Sequence, residues 1–243
     1  MQAFREYLPI QPQRAGVSPD VLYRALRYGD LADVLIVDMY LFQREDTLPG
    51  GEPSALGAAQ WAWLTSELGA SRAAWRILGM QKVFGEMGPF SGWTDFDAER
   101  SRLIGHLAAE GIVDQVFLSG DSHFTIFQDV VDHPTDAARP YDPATGAGAV
   151  GAELLATSIS RGNFDEQLGP DALPVIERLR AGFLRDNPHQ VDLELVSHGY
   201  GVVDVTRERV EAQVFYSPIL GPADTETPGP VHTVARGANR WTR

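Results

Sequence analysis

The sequence predicts an α/β fold. Two features predict it in the first half, where short, continuous apolar runs alternate with segments whose apolar residues recur at helical spacing. A third feature, a pair of alternating runs around a four-residue turn, predicts a β-hairpin near the C-terminus. The 243 residues suffice for one large domain or two small ones. An apolar content of 44% and a charged content of 22% describe an ordinary globular chain.

The elements follow in order. Residues 19–28 form a short amphipathic segment. Asp30 to Met39 holds Leu31, Val34, Leu35, Ile36 and Val37, a run suited to a strand buried on both faces, and it ends in Asp38. Residues 44–53 are a loop rich in Gly, Pro and acids. Ser54 is placed to cap a helix over 55–70, where Leu56, Trp61, Leu64 and Leu68 recur. Trp61 and Trp63 are two residues apart and cannot share one helix face, so one belongs to the core and the other to the surface. Trp75 to Met80 reads as a second strand, followed by a Gly-rich loop at 85–93. Asp97 to Glu110 reads as a helix through Leu103, Ile104 and Leu107. Ile112 to Leu118 is a third strand that breaks at Ser119-Gly120-Asp121-Ser122-His123. Residues 124–131 are strand-like, 132–148 are a loop by composition, and Val150 to Ile159 is a strand. Residues 171–185 read as a helix that tolerates Pro174 near its start. Gly201–Val205 and Val210–Tyr216 form the hairpin. The expected domain covers residues 1–220, and the Pro-, Gly- and Thr-rich residues 221–243 are expected to be an irregular tail.

Charge narrows the function. Twenty basic against 33 acidic residues give −13, which repels nucleic acid and anionic lipid, so neither is an expected partner. A small anionic substrate stays compatible, because a bound cation reverses the field locally. Cysteine is absent, which excludes disulfides, thiolate metal ligands and a thiol nucleophile. No apolar run approaches the ~20 residues of a membrane span. The first residues lack a basic stretch followed by an apolar one, so no signal peptide is expected in them, and any export signal would lie outside these residues.

The strongest chemical signal is Leu118-Ser119-Gly120-Asp121-Ser122-His123. An apolar strand delivers a carboxylate and an imidazole to its C-terminal end, the edge where open α/β sheets bind ligands. In a strand-like Asp-x-His both side chains share a face, able to hold one metal or one each of two neighbouring metals. The alternative is that Asp121 caps a turn and His123 is an ordinary hydrogen-bonded histidine. A second alternative makes Ser122 the nucleophile of a serine hydrolase. The nucleophile elbow needs Gly-x-Ser-x-Gly, however, and Phe124 stands at the last Gly. Asp38 is either a supporting carboxylate for such a site or a capping residue. Asn187-Pro188-His189 follows a helix end, and His198 precedes Gly199-Tyr200; loop histidines of this kind are usually surface residues. His106 and His133 receive no role.

Several segments in order resemble the PhoD-like alkaline phosphatases of the metallophosphoesterase superfamily. Phe4-Arg5-Glu6-Tyr7-Leu8-Pro9 is similar to that family's YxEYMP, and Leu22 to Asp33 to its lYRxxryGdLad stretch. Gln60 to Leu64 with Ser71 to Gly79 resembles eQxxWLxxxLxxSxAxWkvLg. Ser119 to His123 resembles tGDvHs, Ala156 to Ser160 resembles gTSISsG, and Asn187-Pro188-His189 with His198-Gly199-Tyr200 resembles NPH…RGY. The resemblance spans residues 4–216. It implies a four-layer α/β/β/α sandwich, present here in part, with a metal centre at the strand ends. It implies hydrolysis of phosphomonoesters or phosphodiesters with Ca, Fe, Mn or Zn ions, often by an exported enzyme. Asp121 and His123 would be metal ligands, Asn187 and His189 would lie near the substrate, and Gln81 would support the site.

Departures accompany the matches. The chain begins where the family is about half finished, and the earlier metal-binding segments, Asp-Asp-His-Glu among them, have no counterpart here. The family's LDxRxyR corresponds to Val37 through Arg44 with Tyr40 in place of its first Arg, and His198 replaces the Arg of RGY. Three expectations follow: a fragment lacking the N-terminal ligands, a catalytically inactive scaffold or interaction module, or half of a split enzyme completed by the missing N-terminal half.

Overall fold

The computed structural model describes residues 6–7, 18, 20–41, 47–88, 90–138, 141–219 and 224–242. Most of Phe4–Pro9, and the end of the Val37–Arg44 segment, lie outside these residues. The described chain is a mixed α/β structure with two sheets. Seven strands, β1 (Arg24–Tyr28), β2 (Ala32–Ile36), β3 (Trp75–Gly79), β4 (Gln115–Ser119), β5 (Thr125–Val131), β6 (Ala149–Leu155) and β7 (Gln190–Glu194), pair in the order β1-β2-β3-β4-β6-β5-β7. Strands β2, β3, β4 and β6 run parallel, and β1, β5 and β7 are antiparallel to their neighbours. The amphipathic segment at 19–28 therefore ends as edge strand β1.

The parallel strands are apolar on both sides because both sides are covered. Helices α1 (Gly57–Ala70) and α2 (Asp97–Ala109) cover one face. Leu64, Leu68, Leu103 and Leu107 bury there against Leu35, Leu78 and Phe117, and each such burial contributes roughly 1.5–3 kcal/mol. Trp61 and Trp63 are both half-buried against this core, contrary to the one-in, one-out expectation. Arg102 lies over the Trp61 ring at 3.8 Å, and the Tyr23 ring is 4.8 Å from that of Trp63, so each indole gains its own cover.

The start of α1 is capped from outside. Ser54 Oγ accepts the Gly57 N–H at 2.8 Å, as its position suggested, but it also donates to Glu99 of α2 at 2.9 Å. The buried Glu99 carboxylate further accepts the N–H groups of Ala55 (2.6 Å) and Leu56 (3.2 Å), which would otherwise be orphaned. Pro174 is tolerated because it sits in the first turn of α4 (Leu173–Asp186), where no intrahelical N–H bond is lost.

The other face of the large sheet meets a three-stranded antiparallel sheet, ordered β10-β9-β8, of β8 (Gly199–Val205), β9 (Arg209–Tyr216) and β10 (Thr227–Ala235). Val210, Ala212, Val214 and Val234 pack there against Trp75, Ile77, Val116 and Leu154. The hairpin expected at 201–216 is thus β8 and β9. The tail expected to be irregular contains a full strand. Pro228 and Pro230 hide it, and a register shift between Pro228 and Val231 on an edge strand accommodates them. Beyond it Trp241 is 0% exposed, its N–H bonded to Asp129 (2.9 Å) and its indole to the Glu153 carbonyl (3.0 Å). Two further elements carry weak sequence signals: the five-residue α3 (Phe164–Leu168) and edge strand β7.

Candidate active site

Parallel strands β2, β3 and β4 end side by side, and their C-terminal extensions bring Asp38, Gln81 and Gly120–His123 to one rim of the sheet. Asp38 is 3% exposed. Its Oδ1 accepts the N–H groups of Tyr40 and Leu41, both at 3.0 Å, which is a turn cap. Its Oδ2 is buried with no hydrogen-bond partner among the described residues. Gln60 of α1 fixes the backbone there, accepting the Asp38 N–H at 2.6 Å and donating to its carbonyl at 2.8 Å. Gln81 donates to the Val37 carbonyl, and its Oε1 is buried without a hydrogen-bond partner among the described residues. A buried polar atom without a partner is costly, which sets these two oxygens apart from the bonded polar groups around them.

Asp121 and His123 lie in a bend after β4 rather than on the strand-like Asp-x-His ladder expected. Asp121 has φ 76°, a left-handed conformation that Asp tolerates better than most residues. The alternation argument for a shared face therefore does not apply. Asp121 is exposed, and the Tyr40 hydroxyl approaches its Oδ1 at 3.5 Å. His123 is half-buried. Its Nδ1 faces the Gly162 carbonyl at 3.2 Å, and its own carbonyl accepts the Ser158 N–H (3.1 Å) and the Thr157 hydroxyl. With Nδ1–H given to Gly162, the tautomer leaves Nε2 with a free lone pair, the state a metal ligand needs. Asp121 and His123 thus offer donors of suitable chemistry. Among the described residues, no group of three or more such donors includes either of them.

The rim is braced from below. Glu153 of β6 is 0% exposed and accepts the N–H groups of Phe84 and Gly85, the Gln128 amide, all at 2.7 Å, and the Ser119 hydroxyl. One carboxylate thereby ties the 83–92 loop to the residue just before Gly120. Gly85 has no room for a side chain: a Cβ would lie 2.8 Å from Glu153 Oε2.

Other expected site residues sit elsewhere. Ser122 is half-buried, and among the described residues no hydrogen bond joins its hydroxyl to a histidine. The bend leads into strand β5 rather than a helix, so there is no nucleophile elbow. Asn187 ends α4, where its amide donates to the Phe183 carbonyl at 2.9 Å. His189 is 1% exposed with Nε2 2.7 Å from the Glu86 carbonyl, so in this structure it packs rather than faces solvent. The helix-stop reading explains Asn187, and the surface reading of His189 is wrong. His198 is likewise buried, between Ser158 and Glu166. Tyr40 and Glu153 were not singled out by the sequence. Tyr40 stood at a departure from the family pattern, and Glu153, an acid inside an apolar strand, was the available signal.

The PhoD-like phosphatase family matches residues 1–214. Alkaline phosphatase D of Bacillus subtilis (strain 168) is 26% identical in an alignment of 212 positions that covers 77% of this chain and 33% of that protein. A solved structure of PhoD superposes with a TM-score of 0.76 at 23% identity, over 99% of this chain and 47% of the other. The chain spans between a third and a half of the length of these relatives. On its sequence match and its shared architecture, the chain belongs to the PhoD-like phosphatase family.

Proposed function

We propose that this chain is part of a metal-dependent phosphoesterase acting on phosphomonoesters or phosphodiesters, with its chemistry at the rim of β2, β3 and β4. The observations that carry the reading are two buried oxygens at this rim, Asp38 Oδ2 and Gln81 Oε1, without a hydrogen-bond partner among the described residues, and the contact of His123 Nδ1 with the Gly162 carbonyl, which leaves Nε2 as the acceptor nitrogen. Asp121 and His123 would hold a Ca, Fe, Mn or Zn ion. Such an ion, when bound, clamps phosphoryl oxygens and supplies a hydroxide nucleophile at neutral pH. The Gly162 carbonyl orients the His123 ring, and Tyr40 steadies Asp121. Asp38 places a buried carboxyl group beneath the rim. Asn187 and His189 enter as supports of α4 and β7 rather than as groups touching substrate.

Two donors do not make a competent site. Among the described residues no third donor joins them, so the remaining ligands are assigned to other polypeptide, as are the layers that would complete a four-layer sandwich around the two sheets. The alternative, a scaffold without catalysis, is favoured by the absence of a three-donor group at Asp121 or His123 among the described residues. One experiment separates them. The chain is assayed with p-nitrophenyl phosphate and its bis ester under each cation, alone and fused behind the segment of the Bacillus relative that precedes the matched region. Turnover that depends on the cation and is abolished by His123→Ala supports the enzyme. Equal, cation-independent signals from parent and variant in both forms support the scaffold.

A further inference from the structure

The 156–163 segment that touches His123 also touches a second group of donors. Asp165 and Glu166 of α3 and His198, just before β8, each offer one ligand atom, and these atoms lie within 4.8 Å of one another. His198 is 6% exposed. Its Nε2 is 2.8 Å from Glu166 Oε1, and its Nδ1 is 3.3 Å from the Ser158 carbonyl. Both ring nitrogens thus face acceptors. A neutral imidazole has a single N–H, so one contact needs a second proton or a cation. The Asp165 Oδ1 atom is buried and has no hydrogen-bond partner among the described residues. An open cavity of about 490 Å³, also lined by Ser197, Tyr216 and Thr225, gives access.

We propose that Asp165, Glu166 and His198 form a binding site for a zinc-class divalent cation, distinct from the Asp121–His123 rim. Two carboxylate oxygens with one imidazole nitrogen suit a borderline ion, whereas calcium and magnesium prefer oxygen alone. Ligand bonds of ~2.0–2.1 Å in a tetrahedron set donors about 3.3 Å apart, so small rotations within the cluster complete the geometry. The Ser158 carbonyl takes Nδ1–H and aims the Nε2 lone pair at the ion, the usual arrangement behind a ligating histidine. The ion joins α3 to the start of β8. It thereby holds the 156–163 segment on which His123 rests.

Equilibrium dialysis of the metal-free full chain against zinc chloride, with metal counted by mass spectrometry, tests the site. The expected result is one zinc equivalent that survives the double substitution Asp121→Asn, His123→Gln. Asp165→Asn and His198→Gln should weaken its binding at least tenfold. Zinc should also raise the melting temperature of the parent but not of Asp165→Asn. Melting of metal-free Asp165→Asn and His198→Gln beside the metal-free parent separates lost binding from lost folding. Zinc binding unchanged by both Asp165→Asn and His198→Gln, lost with the rim substitutions instead, or displaced equally by magnesium, overturns the proposal.

Discussion

Replacing Glu153 by Gln tests the brace beneath the rim. The buried carboxylate accepts four hydrogen bonds, two of them from the backbone of Phe84 and Gly85. Hydrogen bonds to a charged group are worth about 1.5–3 kcal/mol each, and a buried donor left unpaired costs about 1–3 kcal/mol. The Ser119 hydroxyl and the Gln128 amide can turn toward other acceptors, but the two backbone N–H groups cannot. A glutamine offers one acceptor oxygen and turns an NH2 group toward the other donors. The expected loss is therefore about 3–5 kcal/mol, a large share of the ~5–15 kcal/mol of a typical domain. Glu153→Ala should lose at least as much, since it satisfies none of the four donors. Urea unfolding followed by far-ultraviolet circular dichroism measures the loss as a shift of midpoint at constant slope. Hydrogen exchange at Phe84 and Gly85 should quicken in parallel. A loss below about 1 kcal/mol at unchanged slope, with both amides still protected, would refute the reasoning.

Three further outcomes are expected. Gly85→Ala forces a Cβ to within 2.5 Å of Gln128 Nε2 and 2.8 Å of Glu153 Oε2, and should cost about 1–3 kcal/mol in the same unfolding experiment. Trp241→Ala removes a fully buried indole and its bond to the Glu153 carbonyl, and should cost about 3–5 kcal/mol; a tail that merely lay on the surface would show almost no loss. The His232 hydrogen bond holds the Asp192 carboxyl below its ordinary 3.8, against the opposing effect of burial, with help from the Leu193 N–H and Arg180. Its folded value thus lies below its unfolded one, so its stabilisation is present above about pH 4 and fades as pH falls through the folded value. The stability gap between the parent and His232→Gln, measured by urea unfolding, should narrow between pH 5 and pH 2.5.

The large sheet was legible where physics acts locally. Asp30–Met39, Trp75–Met80 and Ile112–Leu118 are runs that only two-sided burial explains, and each contains the core of an observed strand. Strand β10 was not legible because Pro228 and Pro230 argue against a strand unless it lies at an edge, and edge position is a tertiary fact. The cap of α1 escaped for a similar reason, since Glu99 comes from 45 residues beyond Ser54. At the rim, the residue types of Asp121 and His123 were readable, but their orientation was not. The strand-like alternation stops at Ser119, and Asp121 takes a left-handed backbone. His189 and His198 looked like loop histidines. Their burial depends on Glu86 and on Ser158 and Glu166, partners at least 32 residues away in the chain.

The most direct measurement is cation-dependent hydrolysis of bis-p-nitrophenyl phosphate by the chain fused behind the preceding segment of its Bacillus relative, parent beside His123→Ala. The account predicts turnover that disappears on chelation and falls at least 100-fold in the variant while its melting temperature holds. Equal rates in parent and variant, or none in either from a folded protein supplied with each cation, would contradict it.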